Sequence, residues 1–216
     1  MAGSRVMRLF LVRHGEVAAN RSFAFVGRGD DPLTAVGVRQ VEALAAFFSD
    51  LPIDLVISSP LERCLATARA VIAATGCDLS TDHRLIEQSF GQWDGLTREE
   101  IEAGGSLRQE QLRTWQLDPS GCPPGGESLL EVQDRAMELV RDLVARDAGN
   151  VMWISHVGPI KAVVCHALGL PLSQIGRFFL DPASISVIDW QRPPVLRVFN
   201  AQSQRGWRYA RWLASH

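Results

Sequence analysis

Lysine is almost missing from this chain. Lys161 is the only one in 216 residues, so of 22 basic residues the other 22 − 1 = 21 are arginine. Acidic residues number 24, giving a net charge of −2. No strong field of either sign draws the chain to nucleic acid or to an anionic membrane surface. Long hydrophobic runs are missing too. The opening stretch MAGSRVMRLFLVRHGE holds an apolar run of only seven residues, Val6 to Val12 with Arg8 counted in. That is too short for a signal-peptide core or a membrane span, and a cytoplasmic protein is expected. Cysteine is sparse. Cys64, Cys77, Cys122 and Cys165 form no CxxC pair and no zinc-like spacing, so neither a metal site nor a disulfide framework is expected. Cys64 and Cys165 fall in apolar helical patterns and read as reduced, buried thiols.

What is present is enough for a sizeable core. Hydrophobic residues make up 46% and charged residues 21%, which excludes disorder. The 18 glycines and 11 prolines follow no period, which excludes a collagen-like architecture. The length suits one domain, expected over residues 1–216 with an insertion at about 90–127. Arginine's planar fork suits phosphate and carboxylate recognition, but genomic base composition produces the same bias, and the bias alone assigns nothing.

Hydrophobic patterning supplies the elements. Val6–Val12, Asp54–Ile57, Leu79–Thr81 and Val151–Ile154 read as short apolar strands. Thr34 caps a helix with Val38, Val41, Ala45 and Phe48 at helical spacing. Pro60 suits the first turn of a helix through Leu61–Thr75. The stretch from Ala103 to Gly126 carries GG, PSG and PPGG breaks and reads as an irregular loop-and-helix insertion. Ser128 and Glu131 form a capping box for a helix with Val132, Ala136, Val140 and Val144 on one face. A last helix runs from about Pro159 to Leu168, and Ser184–Ile188 with Val195–Phe199 make a terminal strand pair. The order predicts an α/β fold, a three-layer α/β/α structure with a mainly parallel sheet and the insertion over the active site.

In such sheets ligands bind beyond the carboxyl ends of the strands. Three of those ends carry unusual residues here. The first delivers Arg13-His14-Gly15-Glu16, the second is followed by Arg63, and a later one delivers Ser155-His156-Val157-Gly158 just before a helix. Two histidines and two arginines aimed at one face, with helix N-termini beside them, make an anion site. By composition an Arg-His-Gly tripeptide is expected only about 0.04 times, so its coincidence with a strand end is informative. His83 and His166 lie outside these motifs and read as surface and helix-packing residues. Trp93, Arg98, Arg108, Arg113 and Trp115 read as packing and solvated surface, with some able to wall a pocket.

These motifs resemble the histidine phosphatase superfamily, the phosphoglycerate mutase-like family. Leu11-Val12-Arg13-His14-Gly15-Glu16, with Asn20 at the matching offset, looks like its opening signature, and Ser58-Ser59-Pro60-Leu61-Glu62-Arg63 like its second arginine block. The run Leu85 to Gly95, with Glu87, is similar to its acid-bearing segment, Gly125-Gly126-Glu127-Ser128 to a further segment, and Ser155-His156 to its late histidine. The similarity runs from about Met7 to Asn200. It implies that His14 is the nucleophile and that Arg13, Arg63 and His156 surround the phosphoryl group without a metal or cofactor. Asn20, Gly27 and the backbone near Gly158 are implied as further substrate contacts. Glu87 is implied as general acid and then base, with Glu16, Glu99 and Glu100 as competing carboxylates. That role needs a raised pKa, which the nearby arginines oppose.

Departures bear on the branch. Val17 stands where many relatives carry a hydroxyl residue, and Phe90 where metal-independent phosphoserine phosphatases carry histidine. Mutases carry a longer, basic insertion, whereas only 68 residues, 88–155, separate Glu87 from His156 here. The resemblance therefore implies hydrolysis of a small-molecule phosphate ester. The loop Phe25 to Thr34 and the tail Phe178–Asn200 look like α-ribazole-5′-phosphate phosphatases, and sugar- or glycerate-phosphate phosphatases look similar. A 2,3-bisphosphoglycerate-dependent phosphoglycerate mutase and a non-catalytic phospho-ligand binding module are the alternatives, and a homodimer is a family-level expectation.

Overall fold

The computed structural model describes residues 6–29 and 31–203. The first five residues of the stretch read above for a leader, and the two limits of the expected 1–216 domain, lie outside them. Six strands form one sheet: β1 (Met7–Arg13), β2 (Leu55–Ser58), β3 (Leu79–Thr81), β4 (Asn150–Ser155), β5 (Ile185–Trp190) and β6 (Val195–Ala201). Their order is β3-β2-β4-β1-β5-β6. The pairings β3–β2, β2–β4 and β4–β1 are parallel, while β5 and β6 add an antiparallel hairpin beside β1.

The sheet is covered on both faces, and β1 shows why its strands read as unbroken apolar runs. Successive side chains point to opposite faces. Leu9 and Leu11 enter one core with α5 (Leu129–Ala145) and α6 (Val157–Leu168). Phe10 and Val12 enter the other with α1 (Ala35–Phe48) and α2 (Glu62–Thr75). This is the expected α/β/α layering. No helix of the described residues is long and apolar enough to cross a membrane.

Most expected elements lie within a few residues of their observed bounds. β1 and β2 start and end one residue later than expected. Thr34 caps α1, its side chain accepting from Gly37 N–H at 3.0 Å. The Ser128/Glu131 capping box of α5 is present. Pro60 is a correction: Leu61 is the N-cap of α2, so the proline precedes the helix instead of filling its first turn. Val38 and Val144 are corrections as well, each largely exposed. The buried stripes run through Gly37, Val41, Leu44 and Phe48 on α1, and through Val132, Ala136, Val140 and Leu143 on α5.

The insertion is the loop-and-helix region expected, its helix being α4 (Ser106–Leu117), preceded by the short α3 (Arg98–Ala103) that the patterning does not place. Leu112 is the only buried residue of α4, so the helix has no apolar stripe for periodicity to reveal. A satellite cluster of Trp93, Ile101 and Leu112, with Phe25, Phe90, Leu96 and Trp115 against it, anchors the region.

Candidate active site

Adjacency of β2, β4 and β1 brings the three motif-bearing strand ends together. Arg13 is in register with Ser155, and Ser58 with Ile154, so the residues that follow emerge side by side. His14 N–H donates to the Ser155 carbonyl at 3.1 Å, and the His14 carbonyl accepts from Ala183 N–H at 2.9 Å. Gly15 has a steric reason. A Cβ there would meet Val41 Cγ2 at 2.8 Å and the Gly37 carbonyl at 2.9 Å, so only glycine lets the motif lie flat on α1. Gly15 N–H is held by Thr67 Oγ1 of α2 at 3.2 Å.

The chemistry of His14 follows from its partners. Its Nδ1 lies 2.8 Å from the Gly15 carbonyl, which can only accept, so Nδ1 carries the proton and Nε2 keeps its lone pair. Burial, reinforced by the charges of Arg13 and Arg63, holds the imidazole well below its ordinary pKa. The ring is therefore neutral near pH 7 and available as a nucleophile. The His156 ring sits 5.2 Å from it, centroid to centroid. His156 is also held neutral, first by burial and then by Arg63 and its other cationic neighbours. Its Nδ1 accepts from Arg63 Nε at 3.3 Å, which places the proton on Nε2, 2.8 Å from Ser59 Oγ.

Arg13 Nη1 donates to the Leu180 carbonyl at 2.6 Å, while its Nε is buried without a hydrogen-bond partner. Burial lowers the pKa of this guanidinium to about 10, still well above neutrality. Arg63 is spent differently. Its Nη2 donates to the Gly27 carbonyl at 2.7 Å and its Nη1 to the Gly29 carbonyl.

Glu87 resolves the conflict that the sequence left open. Burial pushes its carboxyl above the ordinary value, against the Gln88 and Gly158 N–H donors and the charges of Arg63 and Arg135, which pull it down. Oε1 accepts from Gln88 N–H at 2.8 Å and from Gly158 N–H at 3.0 Å. A Cβ on Gly158 would collide with Oε1. Gly158→Ala should therefore displace the carboxylate and lower kcat for alkyl phosphates about 10-fold or more, with less effect on p-nitrophenyl phosphate, whose leaving group needs little acid.

A cavity of about 680 Å³ opens beside these groups, lined by Arg13, His14, Asn20, Glu87 and Gly158 among others. Arg63, His156 and Gly27 stand behind its wall instead of lining it. Gly27 N–H is held by Asp94 at 2.7 Å, and the Asn20 amide oxygen accepts from Val17 N–H at 3.0 Å. Val17 is fully buried and bridged to Leu33, which accounts for an apolar residue there. Of the competing acids, Glu16 reaches the cavity but is tied to Arg21 and Thr34. Glu99 and Glu100 lie on α3, where Glu100 closes a capping box with Thr97. His83 is exposed, and His166 stacks on Trp190.

A family model described as the histidine phosphatase superfamily, branch 1, matches residues 9–201. The chain belongs to that superfamily. Among curated relatives, a bifunctional protein of Mycobacterium tuberculosis is 37% identical over 186 residues, covering 85% of this chain and 50% of that protein. The chain thus spans about half the length of that relative. A Proteus mirabilis protein named as a probable phosphoglycerate mutase is 34% identical over 194 residues, covering 88% of each. Among solved structures, the α-ribazole phosphatase of Shigella flexneri superposes with a TM-score of 0.80 at 29% identity, covering 90% of this chain and 96% of that one. Histidine phosphatases therefore include this chain, with neighbours in the phosphatase branch.

Sequence reasoning missed several residues at the site. Ser59 contacts His156 directly, yet it sits in a motif valued for its arginine. Lys161, noted only for its rarity, lines the cavity, as do Phe179 and Leu180. One signal was available: Lys161 follows His156 within the first turns of α6. Phe90 and Trp115 both pack in the satellite cluster and wall the cavity.

Proposed function

We propose that the chain is a metal-independent phosphomonoesterase that hydrolyses a small-molecule phosphate ester through a phosphohistidine at His14. The observation that carries this reading is the neutral His14 imidazole, with Nε2 unprotonated, beside an Arg13 guanidinium whose buried Nε has no partner. In the first step Nε2 attacks phosphorus. The P–N bond forms as the P–O ester bond breaks, and Glu87 gives its proton to the leaving alcohol. In the second step the Glu87 carboxylate takes a proton from water, whose oxygen attacks phosphorus. The P–N bond breaks, its electron pair returns to Nε2, and inorganic phosphate leaves.

Charge on the equatorial oxygens would be met by Arg13, by Arg63 in exchange for the Gly27 and Gly29 carbonyls, and by His156 Nε2–H in exchange for Ser59 Oγ. Asn20 would add its Nδ2 amide donors while its amide oxygen stays on Val17 N–H, and Gly158 N–H would add one once released from Glu87. Two guanidinium groups at one site supply the positive charge that other phosphatases draw from metal ions. Arg63→Met should lower kcat/KM about 10²–10³-fold, the usual cost of losing one preplaced charge donor. Release of phosphate from p-nitrophenyl phosphate in the presence of EDTA tests the proposal, and an inert protein across a broad ester panel overturns it. Similarity to the Shigella structure supports α-ribazole-5′-phosphate as one candidate substrate beside sugar and glycerate phosphates. All four cysteines are free, which suits a reducing, cytoplasmic compartment.

The Proteus relative favours a second reading, a phosphoglycerate mutase. Interconversion of phosphoglycerates that depends on 2,3-bisphosphoglycerate would establish it.

A further inference from the structure

We propose that the alcohol released by this enzyme carries a flat aromatic group, seated on an aromatic wall beyond His14. The inference rests on the phosphomonoesterase reading above. A cavity of about 680 Å³ is far more than a phosphoryl group fills, and falls in the range of sites for whole small molecules. Phe25, Phe90 and Trp115 line it as one contiguous surface, with ring centroids 5.0, 5.6 and 6.1 Å apart. Tilted and edge-on contacts of this kind extend readily to one more ring.

The rim adds an independent observation. Phe23 and Phe179 also line the cavity, yet they are 79% and 59% exposed. Large rings left in water at the mouth of a site gain hydrophobic free energy when an apolar occupant covers them. The outer cations point the same way. Arg21 is ion-paired with Glu16 at 2.8 Å. Lys161 donates to the Ile175 carbonyl at 3.3 Å and lies 5.3 Å over the Phe178 ring. An acidic sugar or glycerate would have to compete for committed cations, whereas an aromatic group meets exposed rings.

The test compares 3-phenylpropyl phosphate with propyl phosphate, which share the same kind of leaving oxygen and differ only in the ring. Covering one phenyl group should raise kcat/KM roughly 10-fold or more, chiefly through KM. Phe23→Ser and Phe179→Ala change exposed side chains and should shrink that preference, read as the ratio of kcat/KM for the two esters within each variant. Where alkyl turnover is too slow to rank, calorimetric affinities of the corresponding phosphonates should show the same ratio. Phosphatase activity with a ratio near one overturns this inference alone. A preference for 3-phosphoglycerate over both esters, abolished in Lys161→Met, also overturns it, in favour of an acidic alcohol. Failure to release phosphate from these esters and from p-nitrophenyl phosphate overturns the hydrolase reading and this inference together.

Discussion

His14→Ala should reduce phosphate release from every monoester by at least about 10⁴-fold while the protein stays folded. The size follows from the lack of a substitute. The Cys64 thiol is buried 3.3 Å from His156 Nε2, and burial pushes its pKa up, so it stays protonated and inert. Ser59 Oγ is engaged with the same imidazole. Water would have to attack phosphorus directly, against a geometry arranged for a side-chain nucleophile. The fold should survive because the backbone of residue 14 is fixed by its neighbours, and the substitution removes one hydrogen bond, to the Gly15 carbonyl. That loss is worth about 1 kcal/mol. Circular dichroism and phosphate release on the same preparation check both halves.

Glu87→Gln should separate the two chemical steps. With an alkyl phosphate, loss of the acid should lower kcat about 10²–10⁴-fold. With p-nitrophenyl phosphate the first step needs no acid, so His14 should still be phosphorylated, and water attack without a base becomes limiting. Rapid mixing should then show a burst of nitrophenolate equal to the active-site concentration, followed by a slow steady state. Equal slowing of both esters without a burst would place the acid elsewhere.

The same variant carries a stability signature. The folded pKa of Glu87 lies above its unfolded value, so the contribution of the protonated form is complete below the unfolded value and is lost as pH rises through the folded one. Glutamine removes that loss and can still accept from Gln88 and Gly158 N–H. The variant should therefore gain Tm relative to wild type as pH rises above the ordinary carboxylate range. In wild type, kcat/KM for alkyl esters should rise with pH as His14 deprotonates, well below its ordinary value, and fall as Glu87 loses its proton. The falling limb should be missing in Glu87→Gln.

What the sequence made legible was whatever local chemistry alone determines. β1, with Leu9 and Leu11 on one face and Phe10 and Val12 on the other, is buried on both sides and reads directly as a strand. Thr34 and Ser128 announce their helices because capping needs only a side-chain oxygen at one position. Arg13, His14 and His156 were readable from their places at strand ends. The direction of the Glu87 shift was not, because burial and arginine charge oppose each other and only the packed structure decides between them. A helix was expected in the insertion, but the bounds of α4 escaped because a helix with one buried residue leaves no periodic trace. That aromatics of residues 90–115 could wall a pocket was legible, and Phe90 and Trp115 do so. Their meeting with Phe25 and Phe179 was not, because those segments converge only in the fold.

The central claim is that the phosphoryl group passes through His14. The most direct measurement is alkaline quench of the Glu87→Gln protein during turnover of p-nitrophenyl phosphate, followed by peptide mass mapping. The account predicts one phosphoryl group per chain, on Nε2 of His14. A phosphoryl group on another residue, or steady hydrolysis with no phosphoenzyme at any time, would contradict it.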